Sequence, residues 1–298
     1  MKKERHYSKN NSRLKQLFCI ISSFLLAVSL TVFVLFSCAK LGFANATQIT
    51  KAFQDSNYYN SVYNTMMGDC ENEAIVSGLS KEVFNGVFSL NELTGYCNTY
   101  ISSLLNDQTY PLNTSAMEQK LSENIKNYAT ANNLTVDGDI DEVIKNFTST
   151  IVAYYKSAIQ FPYFDQIASM FRLFDKVLLY ILPCMAVFSV ILIILLIRLN
   201  TFKKNRIFRY LAYSLLSSSL SILVIPVFCY ITGFYRKLSI SPEYVYKYIV
   251  SYTENGLKVF VLAGVLLFAA GILSIIISTM IKKKLKAEHV PAHHHHHV

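Results

Sequence analysis

The stretch from Leu17 to Ser37, LFCIISSFLLAVSLTVFVLFS, contains no charged residue and has the length of about 20 residues that an α-helix needs to cross a bilayer. The residues before it carry Lys2, Lys3, Arg5, Lys9, Arg13 and Lys15 against a single Glu4. Basic flanks stay on the cytoplasmic side of a membrane, so residues 1–16 read as a cytoplasmic N-terminus and 17–42 as a first transmembrane span. An apolar core of this length exceeds the roughly 7–15 residues of a removable signal, and an uncleaved anchor is the expectation.

Working outward, three further runs have the same character: Val177 to Ile197, Tyr210 to Phe234 and Val259 to Ile281. Arg198, Lys204, Arg206 and Arg209, with Lys203, follow the first of these, and Lys282, Lys283, Lys284 and Lys286 close the last. The segment from Phe43 to Asp175 is the opposite, with fifteen acids, seven bases and a net charge of −8, in a chain whose overall formal charge is +9. Bases beside the apolar runs and acids far from them are the asymmetry of a multi-pass protein with one exported domain. With 52% hydrophobic residues and a mean hydropathy of +0.32 over 298 residues, the class is integral membrane protein. The lipid bilayer is therefore its first partner. The sequence pI near 9.1 belongs to topology; no nucleic-acid recognition motif accompanies it, so nucleic acid is not an expected partner. With no Trp and 20 Tyr, any aromatic belt at the membrane interface is built of Tyr and Phe.

The expected fold class is an all-α membrane protein, with four transmembrane helices and a helical-bundle extracellular domain inserted between spans 1 and 2. The segments are 1–16 cytoplasmic, 17–42 span 1, 43–176 extracellular and acidic, and 177–198 span 2. A basic cytoplasmic loop follows at 199–209, then span 3 at 210–234, an outer loop at 235–258, span 4 at 259–281 and a basic, His-rich cytoplasmic tail at 282–298. Both termini are placed in the cytoplasm of a cell-membrane protein. Two features near the first span invite processing: Ala44-Asn45-Ala46 is a small-residue cleavage pattern, and Leu35-Phe36-Ser37-Cys38 loosely resembles a bacterial lipobox with a bulky Phe36.

Within 43–176 the apolar residues recur at helical spacing, with almost no alternation of the strand type. Ile49, Phe53, Tyr59, Val62, Tyr63 and Met66 give a first stripe, predicted to continue straight out of span 1 and to break at Ser77-Gly78. A short helix over Lys81 to Phe88 follows. Ser89-x-x-Glu92 and Ser115-x-x-Glu118 are capping boxes that predict helices to about Leu105 and through Ala129. Asp139 to Glu142 starts another, with the stripe Val143, Ile144, Phe147, Ile151, Tyr154 and Tyr155. Pro162 interrupts it, and a helix from Tyr163 leads to span 2, with Pro183 and Pro226 as candidate kinks in spans 2 and 3. In the outer loop, Ser241-Pro242-Glu243 is a helix start and Asn255-Gly256 a stop. The tyrosines between them, Tyr244, Tyr246, Tyr248 and Tyr252, predict a short interfacial helix serving as a landing pad for the large domain or as a partner contact.

The chemistry-bearing residues are few. The apolar runs lack Asp, Glu, Lys, Arg and His, which argues against proton relays and ion-coupled transport. Ser214, Ser217, Ser218 and Ser221 on span 3, and Gly264, Gly271, Ser274 and Ser278 on span 4, predict close helix packing, with a polar pore lining as the alternative. Cys70 and Cys97 are the only cysteines outside the spans and form a candidate disulfide. Asp137 to Asp141 begins like a calcium loop, but Glu142 stands where Gly is required and Thr148 where Glu is, so no metal site is assigned. His289 and His293 to His297 form the one histidine cluster. No H-E-x-x-H, G-x-S-x-G or phosphate-binding Gly loop occurs. No catalytic residue and no cofactor is expected, and the chain reads as a non-enzyme.

Asn57-Tyr58-Tyr59 through Val62, Ser77-Gly78-Leu79-Ser80 with Val83 and Val87, and Tyr100-Ile101 form a pattern that resembles uncharacterised four-span membrane proteins of low-GC Gram-positive bacteria. The order of span, large outer domain, span, short inner loop, span, small outer loop and span is also similar to ABC-type permeases. That resemblance implies a cytoplasmic ATPase as partner, contacting Lys203, Lys204 and Arg206, but Asn200 to Ile207 is shorter than the permeases' coupling segment and lacks its Glu-rich signature. The outer bundle is similar to chemoreceptor sensor domains, although the expected cytoplasmic tail and small loop leave no room for an output domain, so a signal would pass to a partner inside the membrane. The reading is a cell-envelope protein whose extracellular domain senses or docks a partner and acts through another membrane protein, with a permease-like subunit as the alternative.

Overall fold

The structure, a computed structural model, describes residues 2–133, 140–161, 164–201 and 204–288. Every regular element among them is helical: α1 (Lys2–Gly42), α2 (Ala46–Asp55), α3 (Tyr58–Val76), α4 (Leu90–Leu105), α5 (Ser115–Ala131), α6 (Ile140–Ile159), α7 (Phe164–Leu199), α8 (Lys204–Thr232) and α9 (Glu243–Glu288), with 3₁₀ turns at Lys81–Phe84 and Phe234–Lys237. Four helical stretches are long and apolar enough to cross a membrane, as the apolar runs predict. The chain divides into two compact units: residues 1–43, 176–236 and 254–298, and residues 44–175 with 237–253.

The first unit contains the four apolar stretches. Its helices have little to gain from burying apolar side chains against one another when lipid is equally apolar, so association falls to close packing and hydroxyl hydrogen bonds. Ser214 and Ser218 of α8 donate to the carbonyls of Ser23 and Ala27 on α1 at 2.7 and 2.8 Å. Ser29 of α1 meets Ser189 of α7 at 2.8 Å. Ser219 donates to the Gly264 carbonyl of α9, and Ser278 to the Asn205 carbonyl. A Cβ added at Gly264 would stand 2.6 Å from Leu223, and one at Gly271 2.7 Å from Leu216. The small residues thus serve helix packing, with Ser217 and Ser221 on an exposed face. Both α7 and α8 run through their prolines, Pro183 and Pro226.

The second unit packs short helices around one core. Asn45, in extended conformation, caps α2 by accepting from the Thr47 N–H at 2.9 Å, and Asn57, at φ 57°, separates α2 from α3. The first stripe is therefore carried by two helices and does not continue out of α1. Its residues Ile49, Phe53, Tyr59, Val62 and Met66 are buried nonetheless, because the intervening turn keeps both helices facing the same core. The helix expected over Lys81 to Phe88 is only the 3₁₀ turn Lys81–Phe84. The box expected at Ser115 does not form: α5 starts at Ser115 with Thr114 as its N-cap, and the Thr114 hydroxyl makes no capping bond but donates to the Glu118 side chain at 2.5 Å. Ser89 precedes α4 as predicted, but its side chain makes no capping bond. Leu93, Cys97, Ile101, Leu121, Ile125, Ile144, Phe147, Ile151 and Tyr155 complete the core. Val143, predicted to join it, is 48% exposed.

The largest departure from expectation concerns α9. It begins at Glu243, where the Pro242 carbonyl accepts from the Val245 N–H at 3.0 Å, and does not stop at Asn255-Gly256. A glycine inside a helix costs about 1 kcal/mol relative to alanine, yet here it admits a close neighbour. A Cβ at Gly256 would lie 2.3 Å from the Phe43 ring, and one at Gly42 would lie 3.0 Å from the Gly256 carbonyl oxygen. The absent side chain is used for packing, and the helix continues. The segment with Tyr244, Tyr248 and Tyr252 is thus the start of a long helix rather than a short separate one.

Candidate functional site

The predicted tyrosines lie in an aromatic cluster of the second unit. Tyr248 is 7% exposed and stacks on Phe53 with ring centroids 4.1 Å apart and planes at 16°. Tyr252 stacks on Tyr248 at 5.7 Å, Tyr244 meets Tyr58 edge-on at 5.3 Å, and Phe161 packs against Phe53, Tyr58 and Tyr248. Burial raises the phenol pKa of Tyr58, Tyr59, Tyr248 and Tyr252 far above the ordinary tyrosine value, because a phenolate there would lose its hydration. Tyr248 is consequently a core residue of its own chain and is not available to a partner. Tyr244 and Tyr252 are half-buried.

Cys70 and Cys97 share this unit's core as free, buried thiols, and the expected bridge is not formed. Tyr59 donates its hydroxyl to the Asn98 side chain at 2.5 Å, which sets Cys97 beside the start of α3. Cys70 lies about three turns further along that helix, roughly 16 Å by helical rise. A disulfide needs Cα atoms within about 7 Å. Cys97 Sγ points instead to the Ala158 carbonyl at 3.9 Å, and burial pushes both thiols up to about 12. Of the basic residues proposed for a cytoplasmic contact, Lys204 is exposed at the start of α8 and Arg206 is half-buried. Lys203, Pro162, Tyr163, Asp137 to Asp139 and the His289 to His297 cluster lie outside the described residues.

Two concave sites flank α6, and neither was singled out from the sequence. The first, about 640 Å³, lies between α5 and α6; Glu118 and Asp141 line it together with Lys145 and Lys156. Thr148 also lines it, with a buried hydroxyl that has no hydrogen-bond partner. The second, about 360 Å³, is walled by Leu79, Ile125, Ala129, Val143, Ile144 and Phe147, with Glu73 as its one ionisable lining residue among those described. Tyr154 donates its hydroxyl to Glu73 Oε2 at 3.3 Å and so fixes the carboxylate at the wall. An apolar concavity with a few oriented polar groups is the usual form of a binding site. Among the described residues no group of His, Cys, Asp and Glu is placed to hold a metal ion.

A polar feature of the first unit also escaped the sequence reading. Asn200, buried at the end of α7, donates to the Leu196 carbonyl at 3.0 Å and to Cys19 Sγ at 3.1 Å. No known family, curated protein or solved structure matches the chain.

Proposed function

We propose that this is a non-enzymatic, multi-pass protein of the cell envelope, with both termini in the cytoplasm and residues 43–176 outside the cell. The outer unit docks or senses a partner, and its state is passed to another membrane protein. The observation that carries this reading is the separation of charge and hydropathy: an acidic helical unit with its own core, in a chain whose apolar helices are flanked by bases. The absence of ionisable side chains from the apolar runs argues against an ion-coupled transporter. The short connection between Leu199 and Lys204 argues against an ATPase-coupling segment of the permease kind.

The test is labelling of intact cells with a membrane-impermeant amine reagent, read by mass spectrometry. Lys51, Lys81, Lys120, Lys126 and Lys145 should be modified, whereas Lys204 and Lys282 to Lys284 should react only after lysis. The opposite pattern would overturn the topology. Deleting residues 46–162 should then leave an inserted but inert protein, and unchanged cell behaviour with that deletion would count against a docking role.

A further inference from the structure

We propose that the cavity between α3, α5 and α6 is a docking pocket for a basic peptide segment that inserts one large apolar side chain. This rests on the reading of the second unit as a docking unit, and names the chemistry of what it docks. The first observation is the cavity itself, whose 360 Å³ lies at the small end of ligand sites and suits one bulky side chain better than an extended ligand.

The second observation is its rim. Among the described residues of 44–161, the exposed large apolar side chains are Ile75 at 71%, Val76 at 85% and Val143 at 48%. Val143 lines the cavity; on α3, Val76 stands next to the lining residue Ser77, whereas Ile75, two residues from both Glu73 and Ser77, projects from the opposite face of the helix. Val143 thus puts an exposed large apolar side chain on the wall of the cavity itself, the kind of exposure that marks an interaction surface.

The third observation is charge. Glu73 is in the wall and accepts from the Tyr154 hydroxyl, and Asp69 stands one turn earlier on the same face of α3. The helix ends here, with Gly78 at φ 73° and the Leu79 N–H donating to the Ala74 carbonyl at 2.8 Å, so the negative end of the α3 dipole faces the same region. No Lys or Arg lines the cavity among the described residues. An apolar side chain flanked by lysine or arginine meets all three conditions, whereas an acidic peptide would meet the carboxylates with like charge.

The chain has no tryptophan, so a tryptophan-containing probe can be followed by its own emission. Full-length protein in nanodiscs of zwitterionic phosphatidylcholine is titrated with acetyl-Lys-Trp-Lys-amide and with acetyl-Glu-Trp-Glu-amide. The expected result is a saturable blue shift with the basic peptide and affinity at least roughly tenfold lower for the acidic one. Glu73→Gln should weaken the basic peptide by roughly twofold to fivefold, the worth of about one partly exposed charge pair. Val143→Lys, an exposed change that the fold tolerates, should abolish binding. Equal binding of both peptides, a shift no larger than with empty nanodiscs, or affinity unmoved by both substitutions would overturn the proposal. A nanodisc exposes both membrane faces, so this result is independent of sidedness: failure here with the expected amine labelling removes the pocket and leaves the topology.

Discussion

Tyr248 shows how one side chain joins distant parts of the sequence. It reaches the core of the second unit from α9, 195 positions after Phe53, on which it stacks. Replacing it with alanine should cost about 3–5 kcal/mol, the usual range for a large buried aromatic, seen as a lowered midpoint when the purified protein is unfolded in denaturant. Tyr246→Ala, which removes no member of the buried cluster, should cost less. The buried thiols and phenols give a second expectation. Cys70 and Cys97 have ordinary values of 9.0 raised to about 12, and the phenols of Tyr58, Tyr59 and Tyr252 rise from 10.0. Each group is neutral when protonated, and above its unfolded pKa the unfolded chain binds fewer protons than the folded one. The stability these groups contribute is full below about pH 9 and falls progressively above it. Denaturant midpoints at pH 7.5 and pH 10.5 should show the loss, and Cys70→Ala with Cys97→Ala should reduce it. At pH 8 both thiols should resist alkylation until the protein is denatured, as read by intact mass.

At the scale of elements, the glycines separate into two kinds. Gly264 and Gly271 let α9 approach α8, and a Cβ at either would overlap Leu223 or Leu216; valine at these positions should cost about 1–3 kcal/mol through overpacking. Gly68 and Gly95 lie inside α3 and α4, with nothing within 4 Å of an added Cβ. Alanine there should stabilise by about 0.4–1 kcal/mol, by reducing the freedom of the unfolded chain. Thermal melting of the four variants separates the two groups by sign. The same contrast explains what could be read in advance. The apolar runs and the basic flanks are local features, and the bilayer sets their length, so four spanning stretches were legible in the sequence. The breaks around α2 also have local causes in Asn45 and Asn57, but the apolar periodicity crosses them and concealed them. Asn255-Gly256 resembles a helix stop because the residue that gives Gly256 its purpose, Phe43, lies far away in the sequence. The candidate pocket was not legible for a related reason: Glu73 and Tyr154 are 81 positions apart, and neither belongs to a recognisable motif.

For the whole molecule, the division into units does not follow chain order. The second unit consists of 44–175 together with 237–253, so the domain suggested by charge alone, 43–176, omits part of its own core. A fragment covering 44–175 should leave the faces of Phe53, Tyr58 and Phe161 uncovered. It should bind a hydrophobic dye and melt broadly, and adding a peptide of residues 237–253 should suppress the dye signal and sharpen the transition. Equal dye binding with and without the peptide would show that the α9 segment is dispensable to the core. The salt dependence of peptide docking belongs to this scale as well: with the acidic charge spread over an exposed surface, affinity for the basic probe should fall as ionic strength rises, over the range in which the Debye length shortens from about 30 to 8 Å.

The origin of Tyr248 in α9 also sets the order in which the chain can mature. At the moment residue 175 leaves the ribosome, the aromatic core still lacks the segment of α9 that closes it, and Tyr248 follows 73 residues later. At about 5–20 residues per second the delay is on the order of 4–15 s, during which the two intervening apolar stretches must be inserted. A nascent chain in this state presents an open aromatic surface on the biogenesis timescale, so a cell making the protein needs either a holding chaperone for that interval or an insertion pathway fast enough to shorten it.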